Sequence, residues 1–346
     1  MMDYTEYAMK LTKELLQTPS PGGYTFKQRE LCKKRFEDMG LEVRRTKKGA
    51  IYAVLPGKSE GKARAVAAHI DTLGAIVKEI KDDGYLRITN IGGYAWQSVE
   101  GENLIIHTRE EKEITGTLLP DKASIHVFSD EVREASRTED SVQVRLDADV
   151  SSKEGVLKLG INVGDFVSFN PRTVITENGY IKSRYLDDMA CVGVLYAAVK
   201  QILDEKMEVS HTTYLFLTDY EEIGHGLYGV SDDVHEILAL DIGTVGSYHT
   251  SCEKKVTILA KDSRTPYDYE FRHRLEEIAI KNNIDYATDV HFRYGSDATT
   301  YALQGTDFNF ACIGLGVNAT HHYERSHYDG YKNNIDLLRE YMLSEY

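Results

Sequence analysis

Five short segments of the 346-residue chain set an acid or a histidine at the end of an apolar run. They read AVAAHID (65–71), YLDDMACVG (185–193), LFLTDYEEIG (215–224), ILALDIG (237–243) and NATHHYERSH (318–327). Strands that end in Asp, Glu or His gather ligands along one edge of an α/β sheet. Two histidines with three or more carboxylates form the ligand set of a two-metal hydrolase.

Each segment has its own chemistry. His69 and Asp71 stand two apart, so on extended chain they point the same way, and the carboxylate can accept the second N–H of the ring. Asp187 and Asp188 are adjacent ahead of a run of small and apolar residues. Like charges so close need a compensating cation, and a carboxylate with two oxygens can bridge two ions. Capping of the following helix is the simpler use of either acid. Glu221 and Glu222 follow a strongly apolar run. Two-metal hydrolysis uses one carboxylate as a ligand and another, outside the ligand set, as general base. Asp241 follows Leu238, Ala239 and Leu240, and at the end of a core strand it must be paired, hydrogen-bonded or metal-bound. Of His321, His322 and His327, at least one is placed to be a last ligand. Together His69, Asp187, Glu222, Asp241 and His321 supply two imidazoles and three carboxylates. With Asp187 as the bridge, each of two ions has one histidine, one terminal carboxylate and a share of the bridge.

The elements that carry these residues alternate between strand and helix. Helical spacing covers 3–17, before TPSPGG breaks the chain, and 27–39, closed by Gly40. LEVRRT, IYAVLPG and ARAVAAH read as strands. Residues 72–172 differ: short β-like runs with Gly or charged turns and little helical periodicity indicate a small all-β domain inserted into the main one. Helices are expected again at 187–205, at 265–283 with Pro266 in the first turn, at 296–304 with Ser296 as N-cap, and at the C-terminus. TTYLFLT, EILAL and FNFACIGLG are expected core strands. The expected fold class is α/β, a mixed sheet sandwiched by helices, with residues 1–71 and 173–346 forming the catalytic domain.

Composition narrows the partners. The net charge is −14 and the isoelectric point about 5.4, which argues against nucleic acid or an anionic membrane as partner. The four cysteines form no CxxC pair, so a reducing, cytoplasmic setting is expected rather than a disulfide framework. The N-terminal segment has early acids and no apolar stretch of a signal peptide, and no run is long enough to span a membrane.

The ordered set of HxD, DD before a helix, EE after a strand, a strand-end Asp and a late His resembles the M42 family of metallo-aminopeptidases, within the wider clan of co-catalytic di-zinc exopeptidases. GINVGDFV (160–167) and GSDA (295–298) also resemble family segments. The resemblance implies that His69 and Asp241 bind one metal, Glu222 and His321 the other, and that Asp187 bridges. It implies Glu221 as general base, Asp71 as the partner of His69, and Asp188 as shaping the bridge through a cis Asp–Asp peptide. It further implies two divalent ions, zinc foremost with cobalt or manganese as substitutes, a peptide substrate, a dimerisation or lid role for the inserted domain, and self-association from dimer to dodecamer. Three positions depart from the family pattern: Thr72 where Glu is usual, Met189 where Arg is usual, and HHYERSH around the last ligand, which leaves His322 and His327 beside His321. A di-metal hydrolase of another amide, such as an N-acyl amino acid, would use the same site. A glycosidase needs two opposed carboxylates and no metal, and an inactive scaffold leaves the ligand set unexplained.

Overall fold

The computed structural model describes residues 2–345. The chain forms two compact units. One is Thr72–Pro171, and the other is formed by the chain on either side of it. In chain order the first part carries α1 (Tyr4–Leu16), α2 (Phe26–Asp38), β1 (Val43–Arg45), β2 (Ile51–Leu55) and β3 (Ser59–His69). The Thr72–Pro171 unit holds β4 (Gly74–Ile80), β5 (Leu86–Ile91), β6 (Asn103–His107), β7 (Glu113–Pro120), β8 (Val142–Leu146) and β9 (Phe166–Phe169), closed into an antiparallel barrel in the order β4-β5-β8-β7-β6-β9. It also contains three short helices that sequence periodicity does not reveal: α3 (Ile125–Phe128), α4 (Asp130–Glu134) and α5 (Lys153–Leu159).

After the barrel come β10 (Val174–Ile175), β11 (Tyr180–Ser183), α6 (Leu186–Asp204), β12 (His211–Thr218), β13 (Val234–Val245), β14 (Val256–Lys261), α7 (Tyr269–Lys281), β15 (Tyr286–Val290), α8 (Asp297–Ala302), β16 (Asn309–Asn318), β17 (Glu324–His327) and α9 (Tyr328–Leu343). Eleven strands make one mixed sheet in the order β1-β2-β12-β3-β13-β16-β17-β11-β10, with β14 paired to β16 and β15 to β14. The centre, β12, β3, β13 and β16, is parallel. On β3 alternate side chains face opposite sides, and Ala63, Ala65 and Ala67 pack with Ala298 of α8 in one apolar cluster. Arg64, Val66 and Ala68, on the other side, are equally buried, so this part of the strand is covered on both faces, with the charge of Arg64 paired to Glu236 at 2.8 Å. Helices α1, α6 and α9 pack on one another.

Two expectations need correction. Asp241 does not end a strand: β13 runs on to Val245 because β16 pairs with it from Glu236 to Val245. The β3 ladder stops at Ala239, so the flank of β13 toward β3 is open where Asp241 stands. Pro266 precedes α7 rather than lying in its first turn. The helix starts at the cap Asp268, whose carboxylate accepts from Phe271 N at 2.7 Å. After β16 the chain returns as β17, paired with β11. Ser296 does cap α8, accepting from Thr299 N at 3.5 Å.

Asp289 on β15 ties the loop after β13 to the sheet. It accepts hydrogen bonds from Thr250 N (3.0 Å), Ser251 N (2.9 Å), Ser251 Oγ (2.6 Å) and Val290 N (2.8 Å). Burial opposes its ionisation, but the Ser251 hydroxyl and these N–H groups hold its carboxyl down at about 2. A folded pKa below the unfolded one contributes stability that is full above about pH 4 and is lost as pH falls toward 2. Asp289→Asn is therefore expected to be less stable in urea at neutral pH, with a gap to wild type that closes below pH 4. A gap independent of pH would refute this account.

Candidate metal centre

His69 closes β3. Its Nε2 lies 3.1 Å from Asp187 Oδ1 and 3.8 Å from Glu221 Oε2. Its Nδ1 lies 2.9 Å from the main-chain carbonyl of Asp71 and 3.5 Å from the Asp71 carboxylate. The carbonyl is thus the nearer partner of the ring. The Asp71 carboxylate accepts from Glu221 N at 3.1 Å and Glu222 N at 3.2 Å, so it caps the single turn that carries both glutamates. Asp188 Oδ2 accepts from His69 N at 3.1 Å and joins the start of α6 to the end of β3. The Asp187–Asp188 peptide is cis.

On the far side of Asp187, His321 Nε2 lies 3.4 Å from Asp187 Oδ2 and 3.4 Å from Glu222 Oε2. Asp187 therefore presents one oxygen to each imidazole. Two groups share it: His69, Asp187 and Asp241, and Asp187, Glu222 and His321, each with its ligand atoms within 4.8 Å of one another. Two donors on one tetrahedral zinc at ~2.0–2.1 Å stand about 3.3 Å apart, close to the spacings at Asp187. His322 and His327 are engaged elsewhere. His322 Nδ1 accepts from Tyr323 N at 2.7 Å. His327 caps α9, accepting from Asp329 N at 3.0 Å, with Nε2 3.1 Å from the Asn178 carbonyl.

Glu324 serves at sequence level only as a spacing mark. In the structure it is buried and accepts from His321 N (2.9 Å) and Asp187 N (3.1 Å), so one carboxylate fixes the backbones of two candidate ligands. Asp297, in the GSDA segment, accepts from Thr218 Oγ1 and from Leu227 N, the latter at 2.9 Å, and so clasps both ends of the glutamate loop. Asp219 binds Gly23 N (3.2 Å) and Thr25 Oγ1 (2.6 Å), which anchors the TPSPGG segment. No spacing rule exposes Asp219 or Asp297 in these roles; only the folded sheet brings them to the loop. Tyr185, Tyr220 and His321 have φ values of 67°, 73° and 61°. Left-handed backbone at such residues costs ~1–3 kcal/mol and clusters at functional sites. At the departures from the family pattern, Met189 is fully buried with Gln28 Nε2 at 3.2 Å from its sulfur, and Thr72 bonds its neighbour's carbonyl at 3.1 Å.

Gly226 meets Asp297 closely: a Cβ there would lie 2.2 Å from Asp297 Oδ1. Gly226→Ala must push that carboxylate off Leu227 N. A loss of ~1–3 kcal/mol is expected, read as a lower melting temperature. An unchanged melt would show that the loop is not held this way.

The charges fit cations. Burial, with Asp187 adding to it, raises Glu222 to about 8 despite His321, raises Asp241 to about 7 despite His69, and raises Glu324 to about 8 despite His321. Burial also pushes Glu221 well above the usual range, opposed by His69 and aided by Asp241, Asp297 and Glu222. Burial works against ionisation of Asp187 too, but His321 and His69 hold it below the usual range. Glu222 Oε1 is buried with no hydrogen-bond partner among the described residues. Two imidazoles do not balance this many carboxylates, whereas divalent ions at the centre would, and would accept the unpaired oxygen. The donor set fits two metal ions.

Known proteins place this arrangement. Residues 49–337 match the family described as M42 glutamyl aminopeptidase. A protein of Bacillus subtilis (strain 168) named "Putative aminopeptidase YhfE" is 40% identical over 337 residues, 97% of each chain. An aminopeptidase of the archaeon Desulfurococcus kamchatkensis shares the fold with a TM-score of 0.88 at 23% identity, over 99% of this chain and 96% of that one. The TET1 peptidase of Pyrococcus horikoshii, described as able to assemble into a tetrahedron or a large octahedral shell, gives 0.84 at 21% identity, over 97% and 99%. With the family matched across most of its length and a relative of this identity along nearly all of it, the chain belongs to the M42 aminopeptidase family and is a metal-dependent peptide hydrolase.

Proposed function

We propose that the chain removes N-terminal residues from peptides, with His69 and Asp241 holding one divalent ion, Glu222 and His321 the other, and Asp187 bridging them. The observation that carries this is the Asp187 carboxylate with an imidazole facing each oxygen, at 3.1 Å and 3.4 Å. Zinc suits imidazole and carboxylate donors, and cobalt or manganese accept the same set. When bound, the ions supply Lewis acidity toward the scissile carbonyl and a lowered pKa for the attacking water.

The chain's own residues do the rest. Glu221 belongs to neither ligand group. We assign it the general base, which takes a proton from the attacking water and returns it to the leaving amine. Asp71 holds it in place through the Glu221 N–H, and Asp297 through the ends of its loop. Glu324 orients His321, and Asp188 fixes the start of β3's turn toward the bridge. The excess of buried carboxylate favours the free α-ammonium of a peptide over a blocked terminus.

The barrel at Thr72–Pro171 is the unit we assign to self-association, from dimer up to a closed dodecameric particle. We place the enzyme in the cytoplasm, without nucleic acid as a partner. Among the described residues no helix is long and apolar enough to cross a membrane.

Metal content measured together with hydrolysis of aminoacyl-nitroanilides and short peptides, with and without chelator, tests the proposal. About two ions per chain and chelator-sensitive release of N-terminal residues are expected. Equal turnover of N-acetylated peptides would overturn the aminopeptidase reading.

A further inference from the structure

A second set of donors lies apart from the bridged centre. β13 carries Asp241 and ends at Val245; the loop beyond it brings His249 to the end of β15, where Asp289 and His291 stand. The three offer one ligand atom each within 4.8 Å of one another. His249 Nδ1 is 3.4 Å from Asp289 Oδ1, and His291 Nε2 is 3.5 Å from Asp289 Oδ2. The two rings meet edge to face with centroids 4.9 Å apart.

These distances discriminate between two uses of the cluster. A good imidazole–carboxylate hydrogen bond is ~2.7–3.2 Å long, so both contacts are loose as hydrogen bonds. Two donors sharing one tetrahedral zinc stand about 3.3 Å apart, so both fit as co-ligands. His291 is almost completely buried, and its Nδ1 has no hydrogen-bond partner among the described residues. The Nε2 that faces Asp289 has only loose contacts, to Asp289 Oδ2 and to Ser251 Oγ, each at 3.5 Å, so this is the nitrogen with a lone pair available to an ion. Asp289, by contrast, is firmly oriented by Thr250 N, Ser251 N and Ser251 Oγ, the kind of outer support that ligating carboxylates have. His249 is partly exposed, which gives an ion a way in and leaves a position for water.

We propose that His249, Asp289 and His291 form a further binding site for a divalent transition metal of the zinc class, distinct from the bridged pair. Two imidazoles and one carboxylate leave at least one coordination position open. Tyr294 packs edge-on against the His291 ring, with centroids 5.2 Å apart.

The test compares wild type with His249→Ala and His291→Gln, each loaded with cobalt and dialysed to constant metal content. Elemental analysis gives the stoichiometry, and the visible cobalt spectrum reports the coordination. Wild type is expected to hold about one ion per chain more than either variant, with a cobalt absorption in the difference spectrum. The readout is the difference, not the total. If the bridged centre held no metal, the difference would remain while the total fell, so failure of that reading stays separate. Equal metal content and matching spectra in wild type and His249→Ala, whose partly exposed loop position tolerates truncation, would overturn the site.

Discussion

Glu221→Gln is expected to lose about 10²–10⁴-fold in kcat while keeping the metal content of the wild type. Glutamine matches glutamate in shape but cannot take up a proton and hand it on. The loop has no reason to move, because Asp71 holds it by the main-chain N–H groups of Glu221 and Glu222 at 3.1 Å and 3.2 Å, and these survive the change. Glu221 is in neither ligand group, so the ions should stay. KM should change little, since the base acts on the attacking water rather than on the peptide. Elemental analysis and steady-state kinetics on the same preparation check this. Near wild-type turnover would remove Glu221 from the mechanism, and loss of an ion would make it a ligand instead.

Metal removal should invert the pH dependence of stability. Without ions, burial and mutual repulsion hold Glu222 and Glu324 at about 8 and Asp241 at about 7, above ordinary carboxyl values of ~4 in the unfolded chain. The folded protein then binds more protons than the unfolded chain across that interval. By linkage its stability is full below about pH 4 and falls as pH rises through 7 to 8. The loss is on the order of several kcal/mol, because the groups titrate together. Bound divalent ions favour the ionised ligands and should restore stability at neutral pH, with the gain growing with free metal concentration. Thermal melts of chelated and reconstituted enzyme from pH 5 to 9 measure both curves. Parallel curves would mean that these carboxylates are not gathered around cations.

The segments that carry the candidate ligands stand out in the sequence because each joins an apolar run to an acid or histidine, and the parallel centre of the sheet is built from such runs. The start of α8 could be read because Ser296 is a side-chain cap whose meaning is local, whereas its end at Ala302 falls short of the expected 304. Other elements resisted for identifiable reasons. β15 (YATDV) and β17 (ERSH) contain polar residues at positions that no alternation predicts, since their place is set by pairing with β14 and β11. Asp241 looked like a strand end because composition changes there, yet the ladder to β16 carries the strand on. Choosing among His321, His322 and His327 required the Glu324 bond to His321 N, a contact that sequence spacing suggests but does not distinguish. The cluster of His249 and His291 was invisible, because forty residues separate its parts and only the return of the chain to β15 unites them.

The Asp71 clasp separates scaffolding from reactivity. Because that carboxylate grips amide hydrogens and not the side chains of Glu221 and Glu222, the position of this turn is encoded independently of what the turn displays. Substitutions at either glutamate therefore alter chemistry on a fixed frame, which makes the pair a natural place to reprogram the enzyme. A change at Asp71 would instead release the frame and blur every function mounted on it at once.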